Sequence, residues 1–120
     1  LKKTFLLVAG IFTLGLNVQG ALADVSGTGA TVKASFYFHG TKTASGERFN
    51  PNGLTAAHKT LPFGTKLRLV NRSNGKTVTV RVNDRGPFIK GRELDVSRGA
   101  AIALGMVGSG IATLQMARLN

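Results

Sequence analysis

Two stretches of strict alternation, Lys66-Leu67-Arg68-Leu69-Val70 and Thr77-Val78-Thr79-Val80-Arg81-Val82, stand on either side of Asn71 to Gly75. No other feature limits the chain as much. Apolar residues at every second position mean strands with one buried face, and the Asn74-Gly75 step between them is a hairpin signal. An antiparallel pair is therefore expected, its second strand running into Asn83-Asp84-Arg85 until Gly86-Pro87 stops it. A carboxylate where a strand ends has a rigid base and a head free to face a groove, and Arg85 beside it brings a cation able to hold or orient it. Upstream, Thr43-Ala44-Ser45-Gly46-Glu47 and Thr55-Ala56-Ala57-His58 each deliver one titratable side chain on a loop-like segment. The expectation is that Asp84, Glu47 and His58 meet.

The rest of the chain supplies short elements. Thr31 to Phe38 is rich in β-branched and aromatic residues and reads as a first strand ending at His39-Gly40. Thr41 to Pro51 is polar, with Gly46 and Asn50-Pro51 as turn formers, and reads as loop. Leu54 to His58 is either a turn of helix or a brief strand, since five residues do not fix a period. Leu61-Pro62-Phe63-Gly64 breaks the chain, and Glu93-Leu94-Asp95-Val96 is a short strand. Ser97 is placed to cap a helix running to Leu104 and closed by Gly105, and Gly110 to Leu119 makes a last strand. Five or six short strands with one short helix predict a small closed β-barrel.

Residues 1–23 read as an export signal: Lys2 and Lys3, an uncharged apolar run from Thr4 to Leu16, then Ala21-Leu22-Ala23 before Asp24. An uncleaved anchor is the alternative, but Asn17 and Gln19 interrupt the run before the ~20 apolar residues a span needs. Residues 24–30 are small and read as a flexible linker, leaving 31–120 as a single domain. There is no cysteine, so neither a disulfide framework nor a lipid-bearing cysteine is available, and the core must hold by packing. The expected location is the periplasm, with no stable membrane anchor. Removing Lys2 and Lys3 leaves 14 basic against 5 acidic residues, a net of +9. That excess favours an anionic partner: nucleic acid, anionic lipid or an acidic polysaccharide. Export argues against nucleic acid.

Thr43-Ala44-Ser45-Gly46-Glu47-Arg48-Phe49, Leu54-Thr55-Ala56-Ala57-His58, Thr60-Leu61-Pro62-Phe63-Gly64-Thr65, Val82-Asn83-Asp84-Arg85-Gly86-Pro87-Phe88 and Leu94-Asp95-Val96-Ser97 together resemble the rare lipoprotein A family. The resemblance runs from about Ala34 to Leu119. It implies a mainly β fold, a six-stranded double-psi β-barrel with one or two short helices. It also implies a lytic transglycosylase that cuts peptidoglycan glycan strands, preferring those stripped of stem peptides, at a site built from Glu47, His58 and Asp84. Two departures stand out: the stretch between Tyr37 and His39-Gly40 is shorter than the family usually has, and the lipid-attachment cysteine and C-terminal peptidoglycan-binding domain of longer members are absent. A non-cleaving, expansin-like module that grips glycan and loosens the wall is the alternative.

The chemistry stands apart from the likeness. Breaking a glycosidic bond needs a proton on the leaving oxygen while positive charge develops on the sugar, so a carboxyl group kept partly protonated is the natural tool. When the sugar's own 6-hydroxyl is the nucleophile, one carboxyl acts first as acid and then as base. Asp84 is the expected acid, with Glu47 raising its pKa by like-charge repulsion or stabilising the oxocarbenium-like charge. His58 is expected to orient a carboxylate or bind a sugar hydroxyl. Arg85, Tyr37 and Phe63 are the candidate substrate-binding residues, although an aromatic in so small a barrel is more often core. Asp95, just before the Ser97 cap, reads as structural, bonded to backbone or to an arginine. His39 and His58 with dispersed carboxylates have no metal-ligand spacing, so neither metal nor cofactor is expected. The expected partner is glycan, met by a monomer.

Overall fold

The computed structural model describes residues 29–120. The expected export signal and all but the end of the expected linker lie outside the described residues. The elements run β1 (Ala30–Tyr37), β2 (Thr55–His58), β3 (Lys66–Asn71), β4 (Thr77–Asp84), β5 (Leu94–Ser97), α1 (Arg98–Ala103) and β6 (Ile111–Arg118). The strands close into a barrel in the order β1-β5-β2-β4-β3-β6, with β6 returning to β1. The β1–β5 and β2–β4 pairs are parallel and the other four antiparallel. This is the double-psi barrel that the resemblance implied, with one short helix among the described residues. Of the Leu54 to His58 stretch, Thr55–His58 is strand, and Ala30, placed in the linker by the sequence, opens β1.

The β3–β4 hairpin follows its alternation. Leu67 stands opposite Val80 and Leu69 opposite Val78, all pointing into the barrel, while Lys66, Thr77, Thr79 and Arg81 stay exposed. The turn is held by Asn71, whose carbonyl accepts from Gly75 N (2.7 Å) and whose N–H donates to Lys76 O (2.8 Å). Gly75 sits at φ +77°, where a side chain is strained.

Leu67, Leu69, Val80, Val82, Leu94, Val96 and Leu114 fill the interior, and Ala100, Ala101, Leu104 and Met106 join the same core from α1 and its exit. Ser97 caps α1 as expected, its Oγ accepting from Ala100 N at 3.3 Å. The same hydroxyl donates to Gly53 O at 2.6 Å, so the cap also fastens the turn before β2. Gly99 is the other half of that fastening, because a Cβ there would lie 2.6 Å from Asn52 O and 2.7 Å from Gly53 O. No helix among the described residues is long and apolar enough to cross a membrane.

Candidate active site

One lateral row of side chains crosses four strands. Ser35 of β1 pairs with Asp95 of β5, Asp95 with Ala57 of β2, and Ala57 with Asp84 of β4. Residues paired in this way share a face. The neighbours Ala34, Leu94, Val96, Ala56 and Val82 belong to the core, so the row lies on the outer face of the barrel. Two carboxylates thus flank one alanine methyl, the smallest side chain that leaves room between them.

A β-bulge makes the row. Ala56 pairs with Val82 but Ala57 pairs with Asp84, so Asn83 is an extra residue in β4. Unbroken alternation would have turned Asp84 inward, toward a barrel filled with valine and leucine. The bulge re-aims it, the use to which such irregularities are put beside functional sites. Asn83 and Asp84 then both find outer partners, Asn83 Nδ2 donating to Glu47 Oε2 at 3.2 Å.

The row is exterior to the barrel yet sheltered, with Ser35 6% and Ala57 3% exposed. The cover is the loop after β1. Ala44 N donates to Asp84 Oδ1 (2.8 Å), Ser45 N donates to Asn83 O (3.2 Å), and the ring of Phe49 stacks on Tyr37 with centroids 4.6 Å apart. Asp84 accepts twice more, from Arg85 N (2.9 Å, Oδ1) and from the Tyr37 hydroxyl (3.0 Å, Oδ2). Burial, and then the charge of Asp84, push the Tyr37 phenol well above its usual range, so it remains a donor. Tyr37, expected as a sugar platform, has one face taken by Phe49 and its hydroxyl given to Asp84.

Asp95 differs. It is partly buried and, among the described residues, its carboxylate accepts one bond, from Ser35 Oγ at 3.1 Å. Burial raises its pKa most; the Ser35 bond and the Arg92 charge oppose this, the Asp84 charge adds to it, and the outcome is upward. Among the described residues it is bonded neither to backbone nor to an arginine, contrary to the expectation from sequence.

Glu47 is the second departure. Its carboxylate is gripped at both oxygens by Arg81, at 2.9 and 2.8 Å, and also takes the Asn83 bond. These bonds hold its pKa down at about 2. It was expected to raise the pKa of Asp84 by like-charge repulsion or to stabilise the oxocarbenium-like charge; it is paired with Arg81, and the carboxylate on which the charge of Asp84 acts is Asp95. Asp95 is the residue that sequence reasoning missed. Its available signal was a lone carboxylate between the buried Leu94 and Val96, but only the register of β5 against β1 and β2 says what stands beside it.

His58 follows Ala57 at the end of β2. Its Nδ1 accepts from Thr60 N and Leu61 N, both at 3.1 Å, which puts the ring proton on Nε2. Burial, then the charges of Arg85 and Lys59, lower its pKa, so it is a neutral donor at pH 7. The side chain of Arg85 turns away from the Asp84 carboxylate. Its Nη1 donates to Leu61 O (2.8 Å) and His58 O (3.2 Å), and its guanidinium lies 4.0 Å over the ring of Phe63. A cavity of about 560 Å³ opens elsewhere, lined by Arg72, Ser73, Ser109, Ile111 and Thr113 among others. It holds no carboxylate and therefore no group suited to proton transfer to a glycoside.

The sequence pattern of the family described as lytic transglycolase matches residues 29–116, all of the barrel but the last two residues of β6. The "Endolytic peptidoglycan transglycosylase RlpA" of Campylobacter jejuni is 54% identical over 86 residues, covering 69% of this chain and 31% of that protein. The protein of the same name in Neisseria meningitidis serogroup A is 48% identical over 104 residues, covering 84% of this chain and 42% of that one. This chain thus spans less than half the length of these curated relatives. Among solved structures, Streptomyces papain inhibitor superposes with a TM-score of 0.66 at 20% identity, over 78% of this chain and 96% of that one. A Clavibacter michiganensis expansin gives 0.64 at 21% identity, over 78% and 51%. At such identities the structural likeness establishes the fold alone. The sequence match carries further: this chain belongs to the lytic transglycolase family, in its RlpA-like double-psi branch.

Proposed function

We propose that the domain is a lytic transglycosylase that cleaves peptidoglycan glycan strands endolytically between N-acetylmuramic acid and N-acetylglucosamine, leaving a 1,6-anhydro end. The observation that carries this reading is the Ser35–Asp95–Ala57–Asp84 row, in which two carboxylates share a sheltered face but have different surroundings. Such a pair divides the roles of acid and of anionic stabiliser.

Asp95, with a raised pKa and one hydrogen bond, is the proton holder. It protonates the leaving glycosidic oxygen, the bond to the muramyl C1 breaks, and the 6-hydroxyl of the same sugar attacks C1. The Asp95 carboxylate then takes that hydroxyl's proton and is ready again, with no water consumed. Asp84 accepts from three donors, Tyr37 among them, and its fixed charge faces the positive charge growing on the sugar. This reverses the sequence reading, which gave the acid role to Asp84. Glu47 acts through position: with Arg81 and Asn83 it ties the covering loop to β4, near where Ala44 meets Asp84. His58 offers its Nε2–H to a sugar hydroxyl, and the half-exposed Phe63, backed by Arg85, offers an apolar surface to a sugar ring.

Acting on peptidoglycan puts the domain outside the cytoplasmic membrane, in the periplasm, with residues 1–23 as the means of export. A closed barrel has no free sheet edge for a second copy, which favours a monomer. The test is digestion of purified glycan strands with product masses. Release of 1,6-anhydromuramyl ends is expected; reducing ends would make the enzyme a hydrolase, and binding without products would make it an expansin-like module.

A further inference from the structure

The barrel sorts its acids to one side. Of the five acidic residues, Asp24 lies outside the described residues, and the other four stand with the site: Asp95 in β5, Glu93 just before it, Asp84 at the end of β4 beside β2, and Glu47 in the covering loop. In the closed order β1-β5-β2-β4-β3-β6, the β3–β6 pair lies across the barrel from β5–β2. Neither β3 nor β6 contains an acid. Leu67 and Leu69 point inward, so Lys66 and Arg68 project outward from β3. Arg72 follows the end of β3, and its Nη1 donates to Thr31 Oγ1 of β1 at 3.4 Å, which lays the side chain across β6. Lys33 on β1 and Arg118 at the end of β6 border this face. Arg81, beside Lys66 on β4, is paired with Glu47, and that is the one side-chain ion pair within 4.0 Å among the described residues. From Lys66 to Arg72 is six residue steps, about 20 Å of surface. No large apolar side chain is exposed on β3 or between Ala112 and Arg118 of β6.

We infer that the outer face of β3 and β6 docks the domain on a membrane leaflet that carries anionic phospholipid, with Lys66, Arg68 and Arg72 meeting the phosphates. This goes beyond the proposed activity and does not rest on it. Cations spread over such a length, with no acid between them, are matched by several negative charges spread over a comparable area, and a leaflet of phosphate headgroups presents them. The glycan being cut lies at the carboxylate row on the opposite side of the barrel, so it is not the occupant of this face. With no apolar side chain to insert, attachment is by charge alone, reversible and sensitive to salt. Docked in this way, the domain holds its Asp84 and Asp95 side away from the lipid.

The test is cosedimentation with vesicles. Wild type should bind vesicles of one part phosphatidylglycerol to two parts phosphatidylcholine but not phosphatidylcholine alone. It should come off as salt rises from about 0.01 M to about 1 M and the Debye length shrinks from about 30 to about 3 Å. Each cation near an anionic leaflet is worth roughly a factor of five in partitioning, so Lys66→Gln with Arg68→Gln and Arg72→Gln should bind about 100-fold more weakly. The same charge removed on the site's side, by Lys42→Gln with Lys59→Gln and Lys90→Gln, should cost less than about 10-fold. Equal losses in the two triple variants would make net charge alone the cause and overturn the docking face. Wild type that binds no vesicle overturns it as well, and binding to inorganic polyphosphate in that case would make the occupant a linear polyanion. A second readout keeps all three cations. The chain has no cysteine, so one dye can be placed through Thr79→Cys, beside Arg68, or through Thr41→Cys in the covering loop. A quencher carried on the lipid should dim the dye at position 79 and spare the one at 41; equal dimming, or dimming at 41 alone, overturns the inference. Catalysis enters neither readout, so the docking face and the transglycosylase reading fail separately.

Discussion

The β3–β4 hairpin and the β1–β5–β2 side of the barrel are built on opposite principles. In the hairpin, sequence neighbours pair with each other and one face is buried while the other meets solvent. The β2 and β5 strands are four residues long, pair with strands distant in sequence, and are largely covered on both faces. The hairpin carries no candidate acid until Asp84, which lies beyond the last β3 pair, Lys66 with Arg81, and past the bulge at Asn83 on the stretch of β4 that pairs with β2. The difference teaches where chemistry can sit in so small a barrel. A solvated face cannot raise a carboxyl pKa by burial, whereas a sheltered outer face can, as at Asp95.

The sharpest way to break this comparison is to remove the proposed acid. Asp95→Asn should lower the rate of anhydro product release by about 10²- to 10⁴-fold, the usual worth of a positioned acid and base, with the thermal melt nearly unchanged. If Asp95→Asn keeps most activity while Asp84→Asn loses it, the acid is the strand-end aspartate and sheltering is not what selects it. On the hairpin side the loss should fall on stability. Leu67→Ala, at a position with 0% exposure, should cost about 2–5 kcal/mol in urea unfolding, while the folded fraction keeps the wild-type pH profile.

Two glycines extend the contrast to backbone. Gly99→Ala drives a Cβ into the Asn52 and Gly53 carbonyls and should cost about 1–3 kcal/mol, with activity impaired because the turn before β2 moves. Gly75→Ala meets no atom within 4 Å and suffers only its positive φ, so about 1 kcal/mol is expected, with activity intact. A larger cost at Gly75 than at Gly99 would reverse the ranking of the two halves.

The pH profile sharpens the assignment within the site. In the proposed mechanism the active form carries its proton on Asp95, whose pKa is raised, so activity should fall as pH climbs through that raised value. Asp84→Asn removes a charge that raises it and leaves Arg92, which lowers it, so the alkaline limb of the residual activity should move to lower pH. A limb that stays in place would mean that the charge of Asp84 does not reach the acid. Glu47→Gln gives the smallest effect. Its pair with Arg81 is exposed and should contribute under about 1 kcal/mol. Because the folded pKa is lowered, from 4.5 to about 2, that contribution is complete above pH 4.5 and disappears as pH falls toward 2, as acid unfolding of Glu47→Gln beside wild type would show. The alkaline limb should not move with it, in contrast to the coupling expected from sequence.

What the sequence determined by itself was everything that neighbours along the chain enforce. Alternation and Asn74-Gly75 specified the hairpin, Ser97 the start of α1, and Gly105, at φ +67°, its end. The count of short strands without cysteine specified a closed, packed barrel. The site was legible only in part. Asp84 was read as standing at a strand end, and Glu47 and His58 were read as its companions. Arg81's grip on Glu47, the bulge at Asn83 and the presence of Asp95 beside Asp84 were decided by tertiary structure. The physical reason is that a four-residue strand such as β2 or β5 has too few side chains to declare its register, and the period of two makes a shift of one residue reverse every face. Ser35, Ala57, Asp84 and Asp95 come from four distant segments, and only closure of the barrel puts them in one row.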